Sequence, residues 1–209
     1  MDYSNNSFNS ILPFDIGKYI NYAVFFSASR NKIQGNIPES LCTSINIKIM
    51  DLSHNNMGGM FPPLCLTKMT TNLVVLNLKE NSFKGLIPNT FPSMCDLRTL
   101  DLSGNDIGGQ VPSSLSNCKD LEVLNLGNNE IHDTFPCQLK NISTMSVLAL
   151  RSNQFHSKIG CPTSNDSWLS LQIIDLSRNR FSGKQWLMVK NIENQKLITS
   201  AMISSNSVM

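Results

Sequence analysis

The chain has 209 residues, 41% of them apolar and 15% charged, and its formal net charge is +2. This composition supports a large buried core, and the small net charge argues against nucleic acid or an anionic membrane as a partner. No apolar run approaches the ~18 residues of a membrane-spanning helix, so no membrane span is predicted.

An asparagine recurs along the chain at intervals of 24 to 26 residues, and repeat positions are counted from it below. A fixed period in the twenties indicates a solenoid, in which each repeat forms one coil stacked on the next. Coils are numbered 1 to 8 in chain order. Their asparagines are Asn6, Asn31, Asn55, Asn81, Asn105, Asn129, Asn153 and Asn179.

The repeats differ in how well they keep the pattern. Residues 1–13 form an incomplete first repeat, and the second has Ala23 and Ala28 at positions that usually carry Leu. Repeats three to six fit best, and the eighth ends at Gly183. We therefore expect a repeat domain of about eight coils over residues 1–183 and a non-repeat tail over 184–209.

Apolar residues hold fixed positions around each asparagine, as in Leu100, Leu102 and Ile107 at positions −5, −3 and +2 of coil 5. Residues two apart point to the same face of a strand. The pattern LxxLxLxxNxF is that of the leucine-rich repeat. It predicts an α/β-type repeat solenoid, a right-handed superhelix with a parallel concave sheet of about eight short strands and irregular or 3₁₀ segments on the convex side.

The stacked asparagines are predicted to form a structural ladder. Strands in a sheet lie roughly 4.8 Å apart, so each asparagine lies beside the next. Its amide can then satisfy backbone groups of the neighbouring turns that would otherwise be buried unpaired. The predicted ladder consists of Asn31, Asn55, Asn81, Asn105, Asn129, Asn153 and Asn179.

Glycine and proline define a subtype of the repeat. Glycine permits the backbone dihedrals of a tight reversal, and proline fixes φ where the chain leaves for the convex side. Glycine stands at position +4 in Gly35, Gly59, Gly85, Gly109 and Gly183. Proline stands at position +7 in Pro13, Pro38, Pro62, Pro88, Pro112 and Pro136. The resulting pattern, LxxLxLxxNxLxGxIPxxL, resembles the plant-specific leucine-rich repeat.

Longer phrases resemble one group within that class. They include CDLRTLDLSGN, SLSNCKDLEVLNLGNNEIHDTFPCQLKNIS and SWLSLQIIDLSRNRFSG. Over roughly residues 20–183 the chain is similar to the lower ectodomain of plant receptor-like proteins of the disease-resistance type. The resemblance implies a partial ectodomain that recognises a protein or peptide ligand for a cell-surface immune receptor, which signals through receptor-kinase co-receptors.

The resemblance also implies that the parent receptor is a membrane glycoprotein on the extracellular side of the plasma membrane. Met1 already occupies a strand position, so the chain itself predicts no signal peptide. Two alternatives stay open. One is a soluble extracellular inhibitor of the polygalacturonase-inhibitor kind, built from the same plant-type repeat, and the other is a non-functional truncated receptor product.

The six cysteines fall into pairs one coil apart. Members of each pair hold nearly the same position in their repeats, and stacked coils near 5 Å apart lie within the Cα separation that a disulfide tolerates. The alternative is that they are buried free thiols replacing a core leucine. The candidate disulfides are Cys42 with Cys65, Cys95 with Cys118, and Cys137 with Cys161.

Three Asn-x-Ser/Thr sequons are candidate glycosylation sites, at Asn5, Asn141 and Asn165. Asn141 falls in a convex segment and Asn165 in a long loop, where a glycan fits. Asn5 falls on the concave side of the first repeat and is the least convincing of the three.

No catalytic, cofactor or metal constellation emerges, so neither enzyme activity nor a cofactor is predicted. The kinase glycine loop, the phosphate-cradling loop and a nucleophile elbow are all missing from the sequence. His132 and His156 stand near Cys137 and Cys161, but their spacing matches no common zinc motif. We therefore interpret His132 and His156 as two exposed histidines at an edge of the solenoid.

Ligand recognition is therefore expected on the concave face, the usual binding surface of a curved repeat array. The polar residues at position −4 are interpreted as mostly structural. The candidate ligand-binding residues are the variable charged ones beside them: Arg30, His54, Lys79, Glu80, Arg98, Glu122, Arg151 and Arg178.

Overall fold

The computed structural model describes residues 1–60, 65, 68–161 and 168–183. Coils 2 to 8 each contain a short concave strand, a turn at the repeated asparagine and a second extended segment. Where the following residues are described, the chain returns along the convex side. The expected non-repeat tail over 184–209 and the sequon at Asn165 lie outside the described residues.

The concave side carries one parallel sheet of seven strands, in strict chain order. Residues pair with the residue at the same repeat position in the next coil, as Leu76 does with Leu100 and Leu100 with Leu124. The parallel concave sheet of the expected leucine-rich-repeat solenoid is thus confirmed. Its strands are β1 (Phe25–Ser27), β3 (Ile49–Asp51), β5 (Val75–Asn77), β7 (Thr99–Asp101), β9 (Val123–Asn125), β11 (Val147–Ala149) and β13 (Ile173–Asp175).

The first coil joins this sheet through a single bridge, between Asp2 and Ser27, instead of the full strand expected there. The N–H of Tyr3 donates to the Ser27 carbonyl at 2.8 Å, and the N–H of Ser27 donates to the Met1 carbonyl at 3.0 Å. This coil has a neighbour on one side only. Its Tyr3 and Phe8, at core positions, are therefore about half exposed, at 47% and 50%.

A second parallel sheet, which the sequence did not lead us to expect, follows the repeated asparagines. We call it the lateral sheet. Five of its strands are continuous, and two more pair with each other in the last two coils. The strands are β2 (Gln34–Gly35), β4 (Asn56–Met60), β6 (Ser82–Leu86), β8 (Asp106–Gly109), β10 (Glu130–Ile131), β12 (His156–Lys158) and β14 (Arg180–Ser182).

The convex side contains short helices. A single α-helical turn, α1 (Ile16–Tyr19), follows coil 1, where an irregular or 3₁₀ segment was expected. Cys65, Lys68 and Met69 are also α-helical, and three 3₁₀ helices are described at Glu39–Thr43, Ser113–Asn117 and Cys137–Asn141. Pro38 and Pro112, each with φ −64, immediately precede two of them. Proline therefore directs the chain out of the lateral sheet, since its ring fixes φ and it has no N–H to donate.

Each disulfide joins convex segments of two adjacent coils. Cys42 is bonded to Cys65, Cys95 to Cys118, and Cys137 to Cys161, with Cα separations of 4.4, 4.6 and 5.5 Å. Coils 2 and 3, 4 and 5, and 6 and 7 are therefore cross-linked in pairs.

The core runs along the solenoid between the two sheets and the convex segments. Leu100, Leu102 and Ile107 are at most 2% exposed, and their counterparts in the neighbouring coils are similarly buried. These side chains form one continuous cluster. No helix among the described residues is long and apolar enough to cross a bilayer.

Gly109 at position +4 illustrates why the lateral sheet needs glycine. Its φ is +73, and an added Cβ would collide with the side chain of Leu86 in the preceding coil. Gly108 has no such constraint, because an added Cβ there would meet no atom closer than 3.8 Å.

We expect Gly109→Ala to lower the free energy of unfolding by about 1–2 kcal/mol, because the left-handed backbone is costly for an L-residue. Gly108→Ala is the matched control, and we expect it to be neutral or slightly stabilising. Urea unfolding measures both changes. Equal destabilisation by the two substitutions would contradict this account of position +4.

Candidate functional site on the concave face

The asparagine ladder fixes the turn at the end of each concave strand. In coil 5, the Asn105 amide nitrogen donates to the carbonyls of Leu78, Leu102 and Ser103 at 3.1, 3.0 and 3.3 Å. Its oxygen accepts the N–H of Phe83 at 3.0 Å. The same four bonds, two of them to the preceding coil, are made by Asn31, Asn55, Asn81, Asn129, Asn153 and Asn179.

The residue before the repeated asparagine always has a left-handed backbone conformation. Its φ lies between +52 and +68 in all eight coils. The candidate residues Arg30, His54, Glu80 and Arg178 occupy this position. They therefore lie in the turn between the two sheets and not in the concave strands.

Polar residues at position −4 support this turn, in agreement with the structural interpretation of that row. The Asp101 carboxylate accepts the N–H and the hydroxyl of Ser103 at 2.9 and 2.6 Å, and Asp51 accepts the N–H of Ser53 at 3.0 Å. In the first coil, hydrogen bonds from the Ser4 hydroxyl and N–H hold the pKa of Asp2 below its usual value. These oxygens are already engaged within their own turn, so they are poorly placed to be the main ligand contacts.

The remaining candidate residues lie on both sides of the concave strands. Arg98 and Glu122, at position −7 in adjacent coils, form an exposed ion pair at 3.5 Å. Arg151, at position −2, lies 4.0 Å from Asp175, and Lys79 occupies the same position in coil 4. The eight candidates thus occupy three separate rows, and the structure does not bring them together into one site.

A row missed by the sequence reasoning lies at position −6, on the same face of the strands as position −4. Phe25, Ile49 and Ile173 are 38%, 37% and 44% exposed, and the other members are half-buried. The signal was available, since seven consecutive repeats carry an apolar residue or threonine immediately before the core residue at −5. This row, the apolar stripe, consists of Phe25, Ile49, Val75, Thr99, Val123, Val147 and Ile173.

The two described sequon asparagines and the two histidines are exposed. Asn141 ends a convex 3₁₀ helix, and Asn5 lies in the left-handed turn of coil 1. His132 and His156 are both exposed, as expected for two edge histidines. In the part of the chain that the structure describes, no group of three or more His, Cys, Asp or Glu side chains is arranged to hold a metal ion.

Comparison with known families identifies the repeat. Three family profiles match, described as leucine rich repeat over residues 45–107, leucine rich repeats (2 copies) over 95–141, and leucine rich repeat over 170–192. Receptor-like protein 6 of Arabidopsis thaliana is 42% identical over 91 residues, which are 44% of this chain. The matched region spans 9% of the length of that relative.

Solved structures of plant proteins share the fold. One is the Arabidopsis receptor kinase HAESA in complex with the peptide hormone IDA and the co-receptor SERK1. It is 28% identical with a TM-score of 0.81, over 90% of this chain and 31% of that one. Another is a plant ice-binding protein, 26% identical with a TM-score of 0.73, over 85% of this chain and 55% of that one. The same coil architecture therefore carries different functions, and the function must be argued from the surface.

Proposed function

The chain belongs to the leucine-rich-repeat proteins, with plant receptor-like proteins as its sequence relatives, and on that premise we propose that its concave face binds an extended protein or peptide segment. This makes the chain the ligand-recognition part of a plant cell-surface immune receptor. The parent receptor would signal through receptor-kinase co-receptors, as the complex of HAESA with SERK1 suggests by analogy.

The apolar stripe carries this proposal. With strands roughly 4.8 Å apart, its seven residues extend about 30 Å along the solenoid. A continuous apolar row on an exposed sheet face indicates a contact surface, because solvent-facing strand positions are otherwise mostly polar. The row is flanked by the mostly polar residues at −4 and, at −7, by Lys48, Arg98, Glu122, Ser146 and Gln172 in five of the seven coils. An apolar centre with a polar rim is the usual anatomy of a protein interface.

The disulfides support an extracellular location for the parent protein. Disulfides persist in oxidising compartments and are rare in the cytosol. All three bonds lie on the convex side, so they brace the coils without covering the apolar stripe. A rigid scaffold lowers the entropic cost of binding a flexible peptide.

The test is a peptide selection followed by substitution in the stripe. Peptides of about 12 residues, long enough to span the stripe at about 3.3 Å per residue, are selected from a random library on the full chain. We expect Val123→Asp with Val147→Asp to weaken the selected peptides at least about tenfold. Fluorescence anisotropy measures the dissociation constants.

Two controls make the result interpretable. Lys119→Glu changes an exposed convex residue, and we expect it to leave binding unchanged. Val123→Thr with Val147→Thr keeps the strand shape, since Thr99 occupies the same position, and we expect a smaller loss. Selected peptides that bind the aspartate and wild-type proteins equally would overturn the proposed site.

A further inference from the structure

In the lateral sheet and its adjoining turns, negative and positive side chains are separated into different coils of the solenoid. In coils 5 and 6, positions −1 to +5 contain Asp106, Glu130 and Asp133 and no Lys or Arg. In coils 7 and 8, the described residues at these positions contain Lys158, Arg178 and Arg180 and no Asp or Glu. We call these groups the anionic sector and the cationic sector.

The charged side chains of both sectors are accessible to solvent and are little neutralised by other charges of the same chain. Every member is exposed except Asp133, which is half-buried. Asp133 accepts the N–H groups of Val111 and Thr134 at 3.0 and 2.7 Å. None of the six sector residues has a salt bridge to another described residue. Lys84 in coil 4 is an opposing charge beside the anionic sector, since it pairs in register with Asp106.

The spacing makes the field change sign over a short distance. Coils lie roughly 4.8 Å apart, so the sector centres are about 10 Å apart. The two coils of each sector lie closer together than the Debye length of about 8 Å at physiological salt, so the fields of their like charges add. A uniform polyanion along this surface would be attracted by one sector and repelled by the other. Nucleic acid and acidic polysaccharides therefore fit it poorly.

We propose that the lateral sheet of coils 5 to 8 is a self-association surface on which a second copy of the chain docks antiparallel. A two-fold axis between coils 6 and 7 places the anionic sector of each copy against the cationic sector of the other. An isologous interface requires this self-complementarity, in which residue i meets j and j meets i. Such an axis pairs coil 8 of one copy with coil 5 of the other, and coil 7 with coil 6. It can therefore bring Arg180 opposite Asp106, since both occupy position +1 of their coils.

The size of the surface fixes the strength of the association. Four coils and five residues per strand cover about 20 Å by 15 Å, which is about 300 Å² on each copy. This is well below the roughly 800 Å² per partner of a standard stable interface. The dimer is therefore weak, driven by charge, and weakened by salt. It leaves the apolar stripe free, because the stripe lies on the other sheet.

Sedimentation equilibrium of the full chain tests this at low and high salt. We expect concentration-dependent dimerisation in about 20 mM salt that weakens at least about tenfold in 0.5 M salt, where the Debye length shrinks to about 4 Å. A chain that stays monomeric in low salt up to about 1 mM, the range of weak affinities, overturns the proposal. A dimer insensitive to salt also overturns it, since its interface would not be these sectors.

Charge reversal then identifies the surface. One variant carries Asp106→Lys and Glu130→Lys, and the other carries Arg178→Glu and Arg180→Glu. Each new residue type has a precedent in the same repeat position, from Lys32 and Glu130 at +1 and Glu80 at −1. Each variant alone should be monomeric, and an equimolar mixture should form heterodimers. Restored association would show that neither variant is misfolded. If circular dichroism shows that both variants are folded and their mixture still does not associate, the proposal is contradicted. Convex Asp120→Lys is the matched control and should dimerise normally.

Discussion

Asn105→Ala should lower the free energy of unfolding by about 3 kcal/mol, because it deprives several buried backbone groups of a partner at about 1–3 kcal/mol each. Asn105 is 7% exposed and makes four hydrogen bonds, two of which link its coil to the preceding one. Urea unfolding monitored by circular dichroism measures the loss.

Two controls separate the ladder from generic effects of substitution. Asn6→Ala removes the same residue type in the same frame, but Asn6 is exposed and donates only within its own coil, to Tyr3 and Ser4. We expect it to cost less than about 1 kcal/mol, and Arg98→Ala to change stability by less than about 0.5 kcal/mol. If all three variants unfold at the same urea concentration, the ladder does not stabilise the coils as described.

Removing one disulfide should lower the free energy of unfolding by a similar amount. Cys95→Ala with Cys118→Ala opens a closed loop of 23 residues, and the chain-entropy model assigns such a loop about 3 kcal/mol. Both cysteines are buried, so alanine also removes some packing. The variant and the wild type are compared by urea unfolding under oxidising conditions.

Reduction separates the cross-link from the packing. With all disulfides reduced, the entropic difference between wild type and variant vanishes, and only the small packing difference remains. If the difference in the free energy of unfolding between wild type and variant is unchanged after reduction, the bond contributes nothing to stability. Mass spectrometry of protein from a secretory host provides an independent check, because six alkylatable thiols would contradict the three bonds.

The repeated asparagine and the flanking leucines predicted the concave sheet because their chemistry is obligatory. A buried turn must satisfy its backbone, and the asparagine amide offers two N–H donors and an acceptor oxygen on one short side chain. The lateral sheet gave no comparable signal. In its strands, glycine at +4 interrupts the alternation of apolar and polar residues, and the residues at +1 and +3 vary from coil to coil. The two-residue period that identifies a strand is therefore not visible in the sequence.

The binding surface was predicted only in its general location. Charged variable residues drew attention to positions −7, −2 and −1, because charge is conspicuous in a list of residues. The structure shows that Arg30, Glu80 and Arg178 lie in turns and that Arg98 and Glu122 pair with each other. The apolar stripe was hidden because Val123 or Val147 beside a core leucine looks like more core. Which face a short strand exposes depends on register, and a shift of one residue inverts it.

The alternation of cross-linked and free coil interfaces has a mechanical consequence. Because the bonds join coils 2 to 3, 4 to 5 and 6 to 7, a force applied to the two ends cannot extend the residues enclosed by each bond. With 23 or 24 residues of separation per bond, each one hides about 80 Å of contour length. The solenoid then yields first at the interfaces without a bond, which are those between coils 1 and 2, 3 and 4, 5 and 6, and 7 and 8. Under tension it would lengthen first at these interfaces, while each bond keeps its two coils connected.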